Sequence, residues 1–147
     1  MAVNVNIKKL SERAVVPSYG SEYAAGADLY ACVESDIEIK PHTTVVVPTG
    51  IAIELPQGFA GLIYARSGLA TKKGLAPANK VGVVDPDYRG EVKVALHNHS
   101  ETAQTVGVGE RIAQLVITPY LTAQFVECET LSETVRGEGG FGSTGRK

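Results

Sequence analysis

The chain has 147 residues, 44% hydrophobic and 20% charged, which excludes the disordered class and is long enough for one domain with a real core. Fourteen basic residues against sixteen acidic ones leave a net charge of −2, so there is no electrostatic case for nucleic-acid or anionic-membrane partners. The N-terminus, MAVNVNIKKL, lacks the apolar run of a signal peptide, and no segment reaches the length of a membrane span; a soluble, cytoplasmic protein is expected.

The dominant periodicity is two. VNVNI places Val3, Val5 and Ile7 on one face and reads as a half-buried strand. AAGADLYA follows a glycine turn with Asp28, whose ordinary explanation is a turn cap. Cys32, like Cys128 later, stands without C-x-x-C spacing, and both are expected to be free, buried thiols. IAIEL alternates Ile51, Ile53 and Leu55 as a second clear strand, bounded by the turn signals VPTG and LPQG.

RSGLATKKG is the one plausible helix, with Ser67 as N-cap and Gly74 as stop. Its amino end beside Arg66 reads either as a capped surface turn or as an anion site. VGVVDPDYRGEV reads as a hairpin closed by an Asp-Pro turn. The functional alternative is that Asp85, at the end of an apolar strand and three residues before Tyr88, is a general base toward water.

EVKVALHNH alternates Val92, Val94 and Leu96, with Lys93, His97 and His99 on a polar face that lacks a third zinc ligand. RIAQLVI has Ile112 and Val116 on one face and Ala113, Leu115 and Ile117 on the other. Gln114 thus points into a covered region, as a satisfied core amide or as a ligand contact. Sixteen glycines and seven prolines spread along the chain favour many short strands: an all-β sandwich, barrel or jelly roll.

Close to the end of the chain stands RGEGGFGSTG, residues 136–145. It is not a Walker A loop, because Arg146 and Lys147 follow Gly145 and no helix can come after. Its backbone N–H groups, Arg136, Phe141, Ser143 and Thr144 nonetheless suit phosphate oxygens and a flat base. The alternative is an ordinary disordered terminus.

In order and spacing, AGADL, RSGLA, VGVVDPDYRG, RIAQL and RGEGGFGSTG closely resemble the five motifs of the trimeric dUTP pyrophosphatases (dUTPases). The resemblance runs from about Ala25 to Gly145. Its departures, Ala65 before the motif arginine and Val84 in a slot often taken by isoleucine, leave the polar residues in place. It implies a jelly-roll-like β-clip over residues 1–135, with a flexible glycine-rich lid arm over 136–147. It implies that dUTP is hydrolysed to dUMP and pyrophosphate, which keeps uracil out of DNA and supplies dUMP for thymidylate synthesis. Asp85 would activate the attacking water, and Asp28 would help hold Mg²⁺ through a bound water. Arg66, Ser67, Gly68 and Gln114 would contact the phosphates. A hairpin from Asn79 to Tyr88, including Val84, would receive uracil, with Tyr88 on the deoxyribose. The arm would close with Phe141 over the base, Arg136, Ser143 and Thr144 on the phosphates, and Gly142 in the same binding set. The assembly implied is a homotrimer with sites between subunits.

Three rivals differ on particular residues. dCTP deaminase shares the implied fold, but its second motif resembles R-S-S followed by a further arginine, and Gly68, Lys72 and Lys73 do not match. A catalytically dead relative sits poorly with intact Asp28, Asp85, Tyr88 and Arg136. A structural jelly roll leaves the glycine-rich arm without a purpose.

Overall fold

The computed structural model describes residues 2–143 and residue 145, and it is an all-β protein with one short helix. In chain order the elements are β1 (Asn6–Lys9), β2 (Ser18–Tyr19), β3 (Ala27–Tyr30), β4 (Ile37–Ile39), β5 (Thr44–Glu54) and β6 (Phe59–Tyr64). Then come α1 (Ser67–Lys73), β7 (Leu75–Pro77), β8 (Gly82–Val84), β9 (Glu91–Asn98), β10 (Gln104–Val106) and β11 (Arg111–Pro119). One sheet has the order β1-β5-β9-β7, a second has the order β2-β3-β11-β6-β8, and β10 pairs with β4. All pairings are antiparallel, and the architecture is a jelly roll.

The core lies between the two larger sheets, and the period-two residues build it. Ile51, Ile53 and Leu55 from the β5 side are buried, as are Val92, Val94 and Leu96 from β9. They meet Leu29, Ile63, Val84 and Leu115 of the facing sheet. Burial of one such side chain contributes about 1.5–3 kcal/mol, so these rows carry much of the folding energy.

Four local expectations are corrected. VNVNI is not a half-buried strand: β1 begins only at Asn6, and Val3 and Ile7 are exposed. Their side chains line a groove of about 720 Å³ with Val16, Tyr19, Ile53 and Ile117. In β11 a register shift between Arg111 and Ala113 turns two consecutive residues, Ile112 and Ala113, into the core, which strict alternation forbids and a bulge allows. The N-cap of α1 is Arg66, in extended conformation and without a side-chain capping bond, so Ser67 is the first helical residue. Gly74 does end the helix, in the left-handed region at φ 67°, its N–H donating to the Ala70 carbonyl. Finally, Cys32 is part-buried and Cys128 is exposed, both as free thiols.

Beyond β11 the Tyr120 N–H donates to the Gly58 carbonyl at 3.0 Å, and residues 121–138 are all exposed. No helix of the described residues is long and apolar enough to cross a membrane.

Candidate active site

The site residues fall into three groups. The first is built where β3, β11 and the end of β6 run side by side, with Gln114 opposite Asp28 on one flank and opposite Tyr64 on the other. Alternation in β3 sends Ala27 and Leu29 into the core and Asp28 outward. Asp28 is therefore a strand residue and no turn cap. Arg66 donates from Nε to its Oδ1 at 2.8 Å, and Arg111 donates from Nη1 to its Oδ2 at 3.3 Å. The Asp28 side chain is only 13% exposed, which makes this a shielded pairing of one carboxylate with two guanidiniums.

Gln114 donates from Nε2 to the Ala65 carbonyl at 2.8 Å, fixing the chain just before Arg66. Its Oε1 lies so close to Gly26 that a β-carbon there would sit 2.5 Å away, so any larger residue at 26 would have to turn this amide. Ser67 and Gly68 follow on the exposed first turn of α1, and the space beside the Gly68 α-carbon is open. A pair of guanidiniums, an amide, a hydroxyl and an open glycine suit an anion with several oxygens.

Asp28 is also the candidate for Mg²⁺. Among the described residues no group of three or more His, Cys, Asp or Glu side chains could hold a metal ion. Both Asp28 oxygens already accept from arginines. With both oxygens so engaged, Asp28 could meet Mg²⁺ only through a water, the ion's direct ligands being waters and substrate phosphates.

The second group surrounds Asp85. The hairpin reading of VGVVDPDYRGEV is overturned, because β8 pairs with β6 in one sheet while β9 pairs with β5 and β7 in the other. Residues 85–90 thus cross between sheets without a ladder of their own. The segment from Asn79 to Tyr88 is likewise no laddered hairpin, since β7 and β8 belong to different sheets. What holds the crossing is local. The Tyr88 N–H donates to the Asp85 carbonyl at 3.2 Å, and the Tyr88 hydroxyl donates to the Glu91 carbonyl at 2.9 Å. The Tyr88 ring lies over Gly90, in the space a β-carbon would fill.

Val84 is buried as the last residue of β8, and Asp85 emerges exposed beside it. A cavity of about 230 Å³ opens there, lined by Ile63, Asn79, Gly82, Asp85, Tyr88 and Lys93 among others. The Asn79 amide nitrogen comes within 3.2 Å of where a Gly82 β-carbon would be. Ile63 and Lys93 escaped the sequence reading as site residues, and Gly82 entered it only as part of the Asn79–Tyr88 segment. Gly82 carried a signal of its own, since glycine inside an apolar strand marks a close approach.

The third group is the arm. Arg136 donates from Nε to the Gly139 carbonyl at 2.8 Å, the Ser143 N–H donates to the Gly140 carbonyl, and Phe141 is fully exposed. Phe141 and Gly142 both have positive φ, 52° and 86°. Among the described residues, no hydrogen bond or ion pair ties Arg136, Phe141, Gly142 or Ser143 to the sandwich. Thr144 lies outside the described residues.

The structure therefore brings Asp28, Arg66 and Gln114 together, and separately Asn79, Val84, Asp85 and Tyr88. It does not join the two sets. Asp85 sits one residue past the Gly61–Val84 rung of β6, whereas Arg66 follows the opposite end of that strand at Tyr64. At about 3.3 Å per residue, the four steps from the level of Asp85 at Ala60 to Tyr64 separate their backbones by about 13 Å along β6. Away from both sets, His97 Nδ1 bonds the Thr44 hydroxyl at 2.9 Å, and the His97 and His99 rings meet edge-on.

The dUTPase family model matches residues 12–145. A deoxyuridine 5'-triphosphate nucleotidohydrolase of Hydrogenobaculum sp. (strain Y04AAS1) is 51% identical over 141 residues, covering 96% of this chain and 97% of that protein. The protein of that name from Syntrophotalea carbinolica is 45% identical over 143 residues, covering 97% of each. A solved structure of the Staphylococcus bacteriophage 80alpha dUTPase with dUPNHPP superposes with a TM-score of 0.88 at 28% identity, covering 97% of this chain and 98% of that one. A jelly roll with these motifs in this order, matched along nearly its whole length, belongs to the dUTPase family.

Proposed function

We propose that the protein hydrolyses dUTP to dUMP and pyrophosphate at sites assembled between copies of the chain, in a homotrimer. The observation that carries the assembly is the separation along β6. The phosphates of one triphosphate adjoin each other, and this separation along β6 favours a substrate held by Arg66 of one chain and served by Asp85 of another. Asp85 of one copy and Arg66 of a neighbour can share one substrate. The names of the curated relatives and the dUPNHPP bound to the phage enzyme support the choice of substrate.

In this reading Asp85 accepts a proton from water as the water oxygen bonds to the α-phosphorus. The bond from that phosphorus to the bridging oxygen of the β-phosphate breaks, and pyrophosphate leaves. Asn79, beside Gly82 and the buried Val84, reads the uracil edge, and the pinned Tyr88 ring packs on the deoxyribose where a 2′-hydroxyl would need room. Arg66, Ser67, Gly68 and Gln114 hold the phosphates. Mg²⁺ bound to those phosphates would supply charge neutralisation, with Asp28 as its indirect anchor. The arm closes over the substrate, with Phe141 on the base, and excludes bulk water. In the cell this chemistry keeps uracil out of DNA and provides dUMP.

Pyrophosphate release from dUTP, dTTP, dCTP and UTP, with and without Mg²⁺, tests the proposal. dUTP alone should turn over well at low concentration. A thymine methyl clashes with a closed pocket, and cytosine leaves buried polar groups unpaired, a mismatch worth up to ~10⁴-fold. Comparable turnover of dCTP or dTTP overturns the assignment, and ammonia release from dCTP points instead to a deaminase.

A further inference from the structure

We propose that Arg89, held by Glu54, is a positioning residue that sets the aim of Asp85. The inference rests on the reading of Asp85 as the base and gives a role to two residues to which none is assigned above, Arg89 within the VGVVDPDYRG motif and Glu54 outside every motif.

The turn that carries Asp85 crosses from one sheet to the other, so no ladder fixes it, and its single internal backbone bond is the long one from Tyr88. Arg89 supplies what is missing. Its Nη1 donates to the Pro86 carbonyl at 2.6 Å and to the Tyr88 carbonyl at 3.2 Å, while Nη2 donates to Glu54 Oε1 at 3.1 Å. Asn6 then donates from Nδ2 to Glu54 Oε2 at 3.1 Å, so the carboxylate is held on both oxygens.

The result is a strut from the end of β5 to the Pro86–Asp87 peptide, the second peptide unit after Asp85. A planar guanidinium suits it because two of its nitrogens bind in fixed directions at once. The Arg89 and Glu54 side chains are about half exposed, at 55% and 51%. Such a pair contributes little to global stability. Its consequence is local: without it, the Pro86–Asp87 peptide loses its brace, and the turn can drift together with the Asp85 side chain that precedes the rigid Pro86 ring. A misplacement of about 1 Å at a reacting group costs on the order of 10²-fold in rate.

The test compares Arg89→Ala, Arg89→Lys, Glu54→Gln and Asp85→Asn, each measured for kcat and KM on dUTP and for melting temperature. Arg89→Ala should lose about 10–10²-fold in kcat per folded active site, with KM and melting temperature nearly unchanged. Lysine at 89 should restore part of the loss, because an ammonium can reach one acceptor but not brace two. Glu54→Gln should fall in between, and the double variant Arg89→Ala/Glu54→Gln should be no worse than Arg89→Ala alone. Full kcat in Arg89→Ala, or a loss that vanishes once corrected for unfolded protein, overturns the proposal; if Arg89→Ala does not fold, full kcat in Glu54→Gln overturns it equally. An active Asp85→Asn sinks the base assignment itself, whereas an inactive Asp85→Asn beside a normal Arg89→Ala removes only the strut.

Discussion

One methyl group suffices to test the phosphate side. Gly26→Ala would drive a β-carbon into the Gln114 amide, which is itself bonded to the Ala65 carbonyl. Overpacking of this kind costs about 1–3 kcal/mol, so thermal melts should show a clear loss. The turned amide should also raise KM, and adding Gln114→Ala should recover stability but leave KM high. At the other set, Asp85→Asn keeps the shape of the side chain and removes the base. Turnover should fall on the order of 10²–10⁴-fold with little change in affinity for a non-hydrolysable analogue. Near-normal turnover would reduce Asp85 to a turn residue.

Among the elements, β5 and β9 were legible because burial on one face leaves a period-two trace in the residues themselves. The stop of α1 was legible for a related reason, since Gly74 adopts a conformation that few other residues tolerate. What stayed hidden depends on partners remote in sequence. Asp-Pro-Asp chemistry looks the same whether the next strand returns to its neighbour or crosses to the other sheet, so the hairpin reading failed. The bulge in β11 and the pairing of Asp28 with Arg66 and Arg111 failed to show for the same reason. The candidate site residues were visible as ordered motifs, but their division between the two ends of β6 was not, because it follows from which strand β8 joins. The arm yields its own prediction. Among the described residues, a chain ending at Val135 removes only exposed or locally bonded groups, so the sandwich should lose no more than about 1 kcal/mol. Its turnover should drop steeply, because Arg136 goes with it and arginines aimed at transferring phosphates contribute ~10³–10⁵ in rate. Calorimetry and kcat on that chain decide between a lid and an idle terminus.

For the whole molecule, the exposed apolar surface points to assembly. Leu121, Phe125 and Leu131, in the segment between β11 and the arm, are each more than 80% exposed, and the groove beside Val3 and Ile7 is lined largely by apolar side chains. Surface of this kind on a functional chain is normally covered by another copy. Light scattering should give a mass three times that of one chain, as expected for closed cyclic symmetry. The division of the site between the ends of β6 also has a consequence for mixtures. An Asp85→Asn chain and an Arg66→Ala chain should each be inactive as pure proteins. After unfolding and refolding together in equal amounts, some sites draw an intact Asp85 from one parent and an intact Arg66 from the other. With random assortment about a quarter of the sites are of that kind. Two dead preparations would thus complement each other, and their failure to do so would place both residues on one chain's own substrate.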